Sequence, residues 1–265
     1  MKITFHYTYL LIAISFIITG YFSNLIIFTS IIIIHELGHY IVAKITNLNP
    51  TMITIYPFGG ITKMNHLVNT KIIKEFYVAI SGILFQTIYY IIITILYKHN
   101  LIRDYIYNLF TTYHYRILIF NLLPIHPLDG SIILNLLLSK LLPYKLTMKL
   151  NIIISIITPV IIFKINYYKF NYTTILIIAI IIINISKYYK NINYLFNKFL
   201  LERYLYKIPT KRHKTINKID NMYKEKYHIF KENNHYLTEK QVLKRRFHIK
   251  LWKMFDITTI NMLKL

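Results

Sequence analysis

The first two thirds of the chain consist of long apolar runs separated by short polar stretches. A helix needs roughly 20 mostly apolar residues to cross a hydrocarbon core about 30 Å thick. Six segments approach that length, and we predict a membrane-spanning helix in each: residues 3–22, 25–45, 76–97, 115–142, 150–165 and 172–185. The predicted fold class is therefore an all-α polytopic membrane protein with about six transmembrane helices.

The fourth predicted helix is interrupted by two prolines, Pro124 and Pro127. A proline inside a helix removes a backbone hydrogen bond. At membrane depth such a break is tolerated only where protein or a water-filled cavity surrounds the freed backbone groups. We therefore expect this break to face protein or such a cavity.

The segment between the second and third predicted helices does not have helical periodicity. Residues 53–56 alternate as a strand does, the P-F-G-G sequence at 57–60 supplies turn chemistry through Gly59 and Gly60, and residues 61–64 can return. The pattern predicts a short membrane-associated β-hairpin. A plain interfacial loop is the alternative.

Charge divides the chain into two parts. The net charge is +22, and residues 187–265 carry 19 of the 32 Lys and Arg residues with 6 of the 10 acidic residues. We predict a transmembrane core at 1–186 and a basic cytoplasmic tail at 187–265. The Lys and Arg bias of the loops places both termini on the cytoplasmic side of an integral, multi-pass membrane protein. Anionic lipid headgroups of the bilayer are the simplest partner for this charge, and we do not predict nucleic-acid binding.

The second predicted helix contains the sequence H-E-L-G-H at residues 35–39. Histidines four positions apart share one face of a helix, so His35 and His39 can reach one metal ion. Glu36 then lies beside the open metal position, where it can take a proton from bound water as a general base. Zn²⁺ is the metal expected for imidazole and carboxylate ligands. The motif is short, but an unpaired acid mid-membrane costs about 2.5–3.5 kcal/mol, which argues against a chance occurrence here.

A catalytic zinc site needs a third protein ligand, and the chain contains no cysteine. Outside the motif, the predicted core has three acids, of which Glu75 and Asp104 adjoin Lys or Arg near predicted helix ends. Asp129 lies well inside the broken fourth helix, at a depth that matches His35. We therefore predict that Asp129 is the third metal ligand.

Two other polar residues lie near the same break. His126 is a disfavoured alternative ligand, because Pro127 disturbs the helical spacing between it and Asp129. Asn121 either holds a substrate carbonyl or an oxyanion, or satisfies backbone groups freed by the break, and the sequence leaves both alternatives open.

Taken together, the H-E-L-G-H motif at 35–39 and the sequence N-L-L-P-I-H-P-L-D-G at 121–130 resemble the site-2 protease family of intramembrane zinc metalloproteases. Three further sequences resemble the sporulation branch of that family: P-F-G-G at 57–60, S-G at 81–82 and F-L-L-E-R-Y at 199–204. The sequence departs from the family after S-G, where Ile83 and Gln86 replace the usual Pro and Asn.

The resemblance implies zinc bound by His35, His39 and Asp129, with Glu36 as the general base. It implies membrane-protein substrates cut near the membrane surface and, for the sporulation branch, an inactive sigma-factor precursor with membrane-bound inhibitor proteins as partners. It also implies a nucleotide-sensing domain after the last helix. Residues 206–265 contain no glycine, which small α/β domains normally use in turns.

The expected function is therefore intramembrane proteolysis. A non-proteolytic homologue that binds metal or substrate is the alternative. A metal carrier would need polar residues on several helices, and an inactive homologue would be expected to lack Glu36. We further expect the hairpin to hold extended substrate through the exposed edge of residues 53–56, so that Ile55, Gly59 and Gly60 are candidate substrate-binding residues.

Overall fold

The computed structural model describes residues 2–56, 59–65, 67–165, 172–206, 212–232 and 235–247. The helices in these ranges are α1 (Tyr7–Ile18), α2 (Phe22–Ile45), α3 (Ile72–Lys98), α4 (Asp104–Leu122), α5 (Asp129–Leu141), α6 (Tyr144–Ile165), α7 (Tyr172–Leu205) and the helical residues 239–247, here called α8. Among them, α2, α3 and the Tyr144–Ile162 part of α6 have the length and composition to cross a membrane. The count of six spans stays a prediction.

The first helix was predicted at residues 3–22, and the predicted start is wrong. Lys2–Phe5 form a strand, β1, and α1 has only 12 residues. β1 pairs in parallel with a strand nearly 50 residues later, in a register that joins Lys2 to Met52 and Phe5 to Ile55. A short apolar run fits a strand and a helix equally well. Pairing with β2 therefore decided that residues 2–5 form a strand.

The fourth predicted helix is two helices. α4 begins at Asp104, earlier than predicted, and ends at Leu122, and α5 begins at Asp129. The backbone N–H of His126, in the break, donates to Ser155 Oγ of α6 at 3.0 Å. Protein therefore covers a backbone group in this break, as expected from its depth.

The predicted β-hairpin is confirmed, but its position in a sheet was not foreseen. β2 (Pro50–Tyr56) pairs antiparallel with β3 (Gly59–Met64), and β1 pairs with the other side of β2. Of the predicted P-F-G-G turn, residues 57–58 lie outside the described residues. Because β2 is the central strand, the prediction of an exposed edge at residues 53–56 is wrong. Within the described part of the chain, β1 and β3 are the edge strands of this sheet.

α2 packs most extensively against α3, and small residues permit the close approach. A Cβ atom at Gly38 of α2 would lie 2.6 Å from the carbonyl oxygen of Ser81 on α3. Small residues at helix crossings are typical of membrane proteins, where backbone packing replaces the hydrophobic driving force between helices. Any larger residue at position 38 would push these two helices apart.

The C-terminal part of the chain folds without glycine. Strands β4 (His213–Ile216), β5 (Tyr227–Glu232) and β6 (His235–Thr238) form a second sheet, with β4 parallel and β6 antiparallel to β5. Phe230 and Leu243 of this part are buried in one cluster with Phe196 and Phe199 of α7. α7 runs continuously through residue 186, so the division of the chain at that position stays a prediction.

Charged groups from the F-L-L-E-R-Y sequence connect the second sheet to the membrane core. Arg203 Nη1 donates to Glu239 Oε1 at 2.9 Å, and its Nε donates to Asn69 Oδ1 at 3.0 Å. Glu202 Oε2 accepts from the Asn69 backbone N–H, also at 3.0 Å. Asn69 lies in the connection between β3 and α3, and Glu239 is the first residue of α8, directly after β6, so this sequence ties that connection to the C-terminal part of the chain.

Candidate active site

The H-E-L-G-H motif lies on α2, and its polar residues point into the protein. His35 is 4% exposed, Glu36 4% and His39 7%. One helical turn separates the two imidazoles, which stack edge to face with centroids 4.8 Å apart. α3 makes room for both rings at Gly82, where a Cβ atom would lie 2.4 Å from His39 Nε2 and 2.7 Å from His35 Nε2. The site therefore depends on a glycine of the neighbouring helix.

Asp129, the first residue of α5, meets both histidines. Its Oδ2 atom lies 2.9 Å from His35 Nε2 and 3.3 Å from His39 Nε2. The two Nε2 atoms lie 3.1 Å apart. Ligand atoms around a tetrahedral zinc are separated by about 3.3 Å when the bonds are about 2.0–2.1 Å long. Three atoms at this spacing, two imidazole nitrogens and one carboxylate oxygen, fit a single zinc ion.

Glu36 lies beside this group of three atoms, and one ligand atom each from His35, Glu36 and His39 falls within 4.8 Å of the others. Thr62 Oγ1 of β3 donates to Glu36 Oε2 at 2.7 Å. The Glu36 carboxylate is therefore oriented by the hairpin. Sequence reasoning missed Thr62, because nothing local links β3 to α2.

The outer nitrogens of the two imidazoles also have partners, both from α3. His39 Nδ1 lies 2.7 Å from the Val78 carbonyl oxygen, and His35 Nδ1 lies 3.1 Å from Gln86 Oε1. Such hydrogen bonds orient metal-binding histidines. From the sequence, Gln86 stands out only as a departure from the family pattern, and nothing local links it to His35.

The site opens into a cavity of about 550 Å³ whose walls include His35, Glu36, Asp129, Asn121, Gly59 and Gly60. A second, smaller cavity of about 330 Å³ also adjoins the site, and its walls include Glu36, His39 and Asp129. Ile55 is fully buried in the centre of the sheet and is absent from both walls. The structure therefore brings every predicted site residue to the cavities except Ile55.

His126, the disfavoured alternative ligand, lies in the walls of both cavities. Its ring stacks on Tyr188 of α7 with centroids 4.1 Å apart. The His126 imidazole therefore packs on α7, while Asp129 Oδ2 is the atom that lies close to His35 Nε2 and His39 Nε2.

Apolar helices long enough to span a membrane, together with a buried H-E-x-x-H helix and an apposed aspartate, define an integral membrane protein with a metallopeptidase-type site. Residues 23–115 match the family model "Peptidase family M50". Stage IV sporulation protein FB of Bacillus subtilis (strain 168) is 30% identical over 206 residues, which cover 77% of this chain and 72% of that protein. The chain therefore belongs to the site-2 protease family of membrane-embedded metallopeptidases.

A solved structure has the same fold. The site-2 protease from Methanocaldococcus jannaschii matches with a TM-score of 0.56 and 24% identity, covering 71% of this chain and 91% of that chain. At this identity the likeness concerns the fold alone.

Proposed function

We propose that this chain is an intramembrane zinc metalloprotease that cleaves a membrane-associated protein. The observation that carries the proposal is the spacing of His35 Nε2, His39 Nε2 and Asp129 Oδ2, 2.9 to 3.3 Å apart, with a buried glutamate beside them. Zinc held by these three atoms would polarise the scissile carbonyl and lower the pKa of a bound water to about 7.

Glu36 would act as the general base. Thr62 holds its Oε2 atom, which leaves Oε1 to accept a proton from the attacking water and to return it to the leaving amine. Asn121, in the wall of the larger cavity, would donate its amide N–H to a substrate carbonyl or to the developing oxyanion. Its alternative role is to satisfy backbone groups of the break between α4 and α5.

The edge of β3 would hold the substrate. A helical peptide bond is difficult to hydrolyse, because its carbonyl is hydrogen-bonded and covered, so substrate must be extended near the metal. Extended peptides bind to sheet edges by main-chain pairing. Among the described residues β3 pairs with β2 alone, and Gly59 and Gly60 of β3 line the cavity beside Glu36. This proposal moves the substrate-binding strand from β2 to β3.

The relative's name, stage IV sporulation protein FB, supports a sporulation role. We propose that the substrate is a sigma-factor precursor, that membrane-bound inhibitor proteins regulate the protease, and that both termini face the cytoplasm. Residues 187–265 would form a regulatory region, since part of them folds against the end of α7.

Co-expression with a candidate sigma-factor precursor tests this function. We expect a shortened precursor with the wild-type protein and none with Glu36→Gln at equal expression. An uncut precursor beside a zinc-loaded wild-type protein would refute the sporulation substrate. Cleavage that is equal in both would place the activity elsewhere than in this site.

A further inference from the structure

We propose that Gln86 of α3 is a positioning residue that holds His35 in the tautomer whose Nε2 atom is free to bind the metal. The inference rests on the proposed zinc site and adds a residue to it. Gln86 is 0% exposed, so every hydrogen bond of its amide must be made within the protein.

The carbonyl oxygen of His114 on α4 determines which way the Gln86 amide faces. Gln86 Nε2 donates to this oxygen at 3.0 Å. A carbonyl can only accept, so a reversed amide would place two oxygens against each other in a buried site. The backbone of α4 therefore keeps the NH₂ group on one side and directs Gln86 Oε1 to the other.

Gln86 Oε1 in turn determines the proton on His35. The distance from Oε1 to His35 Nδ1 is 3.1 Å. An amide oxygen can only accept, so Nδ1 must carry a hydrogen. A neutral imidazole with its hydrogen on Nδ1 has a free electron pair on Nε2. That atom is the one that lies near His39 Nε2 and Asp129 Oδ2.

The two histidines differ in the group that accepts the hydrogen of Nδ1, and this difference makes the inference testable. His39 Nδ1 is paired with a backbone carbonyl, that of Val78, at 2.7 Å, so no side-chain substitution removes its partner. His35 depends on a side chain. A substitution at position 86 therefore releases one imidazole and leaves the hydrogen bond of the other intact.

The experiment compares zinc affinity, measured by competition with a chromophoric chelator, in purified full-length protein. Gln86→Met and Gln86→Leu keep a comparable volume but remove both hydrogen bonds. Gln86→Glu keeps the size of the side chain and an oxygen that accepts from His35 Nδ1. Thr87→Val is the matched control, since the Thr87 hydroxyl donates to the Ile83 carbonyl of its own helix, at 2.8 Å.

We expect the two apolar variants to bind zinc about 10- to 100-fold more weakly, as is usual when such a partner of a metal ligand is lost. Their Co²⁺-substituted forms should show an altered visible spectrum, a signature that a purely structural role would not change. Gln86→Glu and Thr87→Val should remain close to the wild type. Thermal unfolding of the metal-free proteins identifies a misfolded variant. If one of the two apolar variants is misfolded, the zinc affinity of the other decides the test.

Two results overturn this inference and leave the proposed function intact. Either the apolar variants bind zinc as the wild type does, or Gln86→Glu loses as much affinity as they do, which would show that an acceptor for His35 Nδ1 is not what sustains zinc binding. A wild-type protein that neither binds zinc nor cleaves any precursor overturns both proposals.

Discussion

Gly60 of β3 lies against Glu36 of α2 so closely that a Cβ atom at position 60 would be 2.3 Å from Glu36 Cγ and 2.8 Å from its Oε1. The strand backbone therefore touches the proposed general base directly. Thr62, two residues along the same strand, donates to Oε2 of the same carboxylate. The hairpin thus orients Glu36 and offers its own free edge at the same place.

Gly60→Ala should reduce cleavage by about 100-fold, the effect expected when a catalytic group is displaced by about 1 Å. The three atoms nearest to the added methyl group all belong to Glu36, so the substitution displaces the base and leaves His35, His39 and Asp129 in the chain. Zinc content should therefore remain that of the wild type. Lys63→Ala, at an exposed position of the same strand, is the control. Normal cleavage by Gly60→Ala would show that Glu36 tolerates displacement.

Glu36→Gln should retain zinc and lose roughly 10²–10⁴-fold in cleavage rate, the usual contribution of a general base. The amide keeps the size of the side chain and an oxygen that can still accept from Thr62. Metal analysis and cleavage are measured on the same preparation. Retained activity would falsify the proposed role of Glu36.

Asp129→Ala should lower zinc content as well as activity, because it removes a ligand and not a base. Asp104→Ala is the matched control, an acid in the first turn of α4 that lies outside both cavity walls. If the Asp129→Ala protein binds a full equivalent of zinc, another residue completes the site. His126, in the wall of both cavities, is then the first to test.

Substrate should crosslink to β3 and not to the opposite edge of the sheet. A photoreactive residue at Ile61 of β3, which lines both cavities, should capture substrate in the Glu36→Gln background. The same residue at Ile3, on the free edge of β1, is the control, because it is also partly exposed. Crosslinks of equal yield at both positions, or at Ile3 alone, would contradict substrate binding at β3.

The C-terminal sheet should loosen as the pH falls below about 6.5. Burial lowers the pKa of His228, and Arg203 adds to this effect. Burial by itself would raise the pKa of Glu239, but its bond with His228 and the charge of Arg203 lower it below the usual value. In both cases the unfolded state binds protons that the folded state does not, so stability is lost as the pH falls.

His228 acts first, from the unfolded histidine pKa near 6.5 downward, and Glu239 follows below about 4.5. Amide hydrogen exchange in β5 measures the effect. Opening should increase by up to about tenfold per pH unit for each proton, after correction for the intrinsic exchange rate. Asp220→Asn, which removes the charge of Asp220 from its ion pair with Lys145, should leave this profile unchanged. Exchange in β5 that does not change between pH 7.5 and 5, after the same correction, would contradict this prediction.

Several features could be predicted because they depend on neighbours in the sequence. The spacing of His35 and His39 follows from the helical repeat, and the hairpin at 50–64 follows from strand alternation and adjacent glycines. Asp129 could be singled out because few acids occur in the membrane core, and an acid there is costly unless it has partners.

Other features depended on segments far apart in the chain. β2 became the central strand only because β1, nearly 50 residues earlier, pairs with it, and this moved the proposed substrate edge to β3. Gln86 meets His35 across 51 positions, and Thr62 meets Glu36 across 26. An apolar run or a single polar residue does not indicate which distant segment it will contact. The sequence alone determined which chemical groups and local repeats were present, and the tertiary structure decided which of them meet, since buried hydrogen bonds require specific distances that only the packed helices and strands provide.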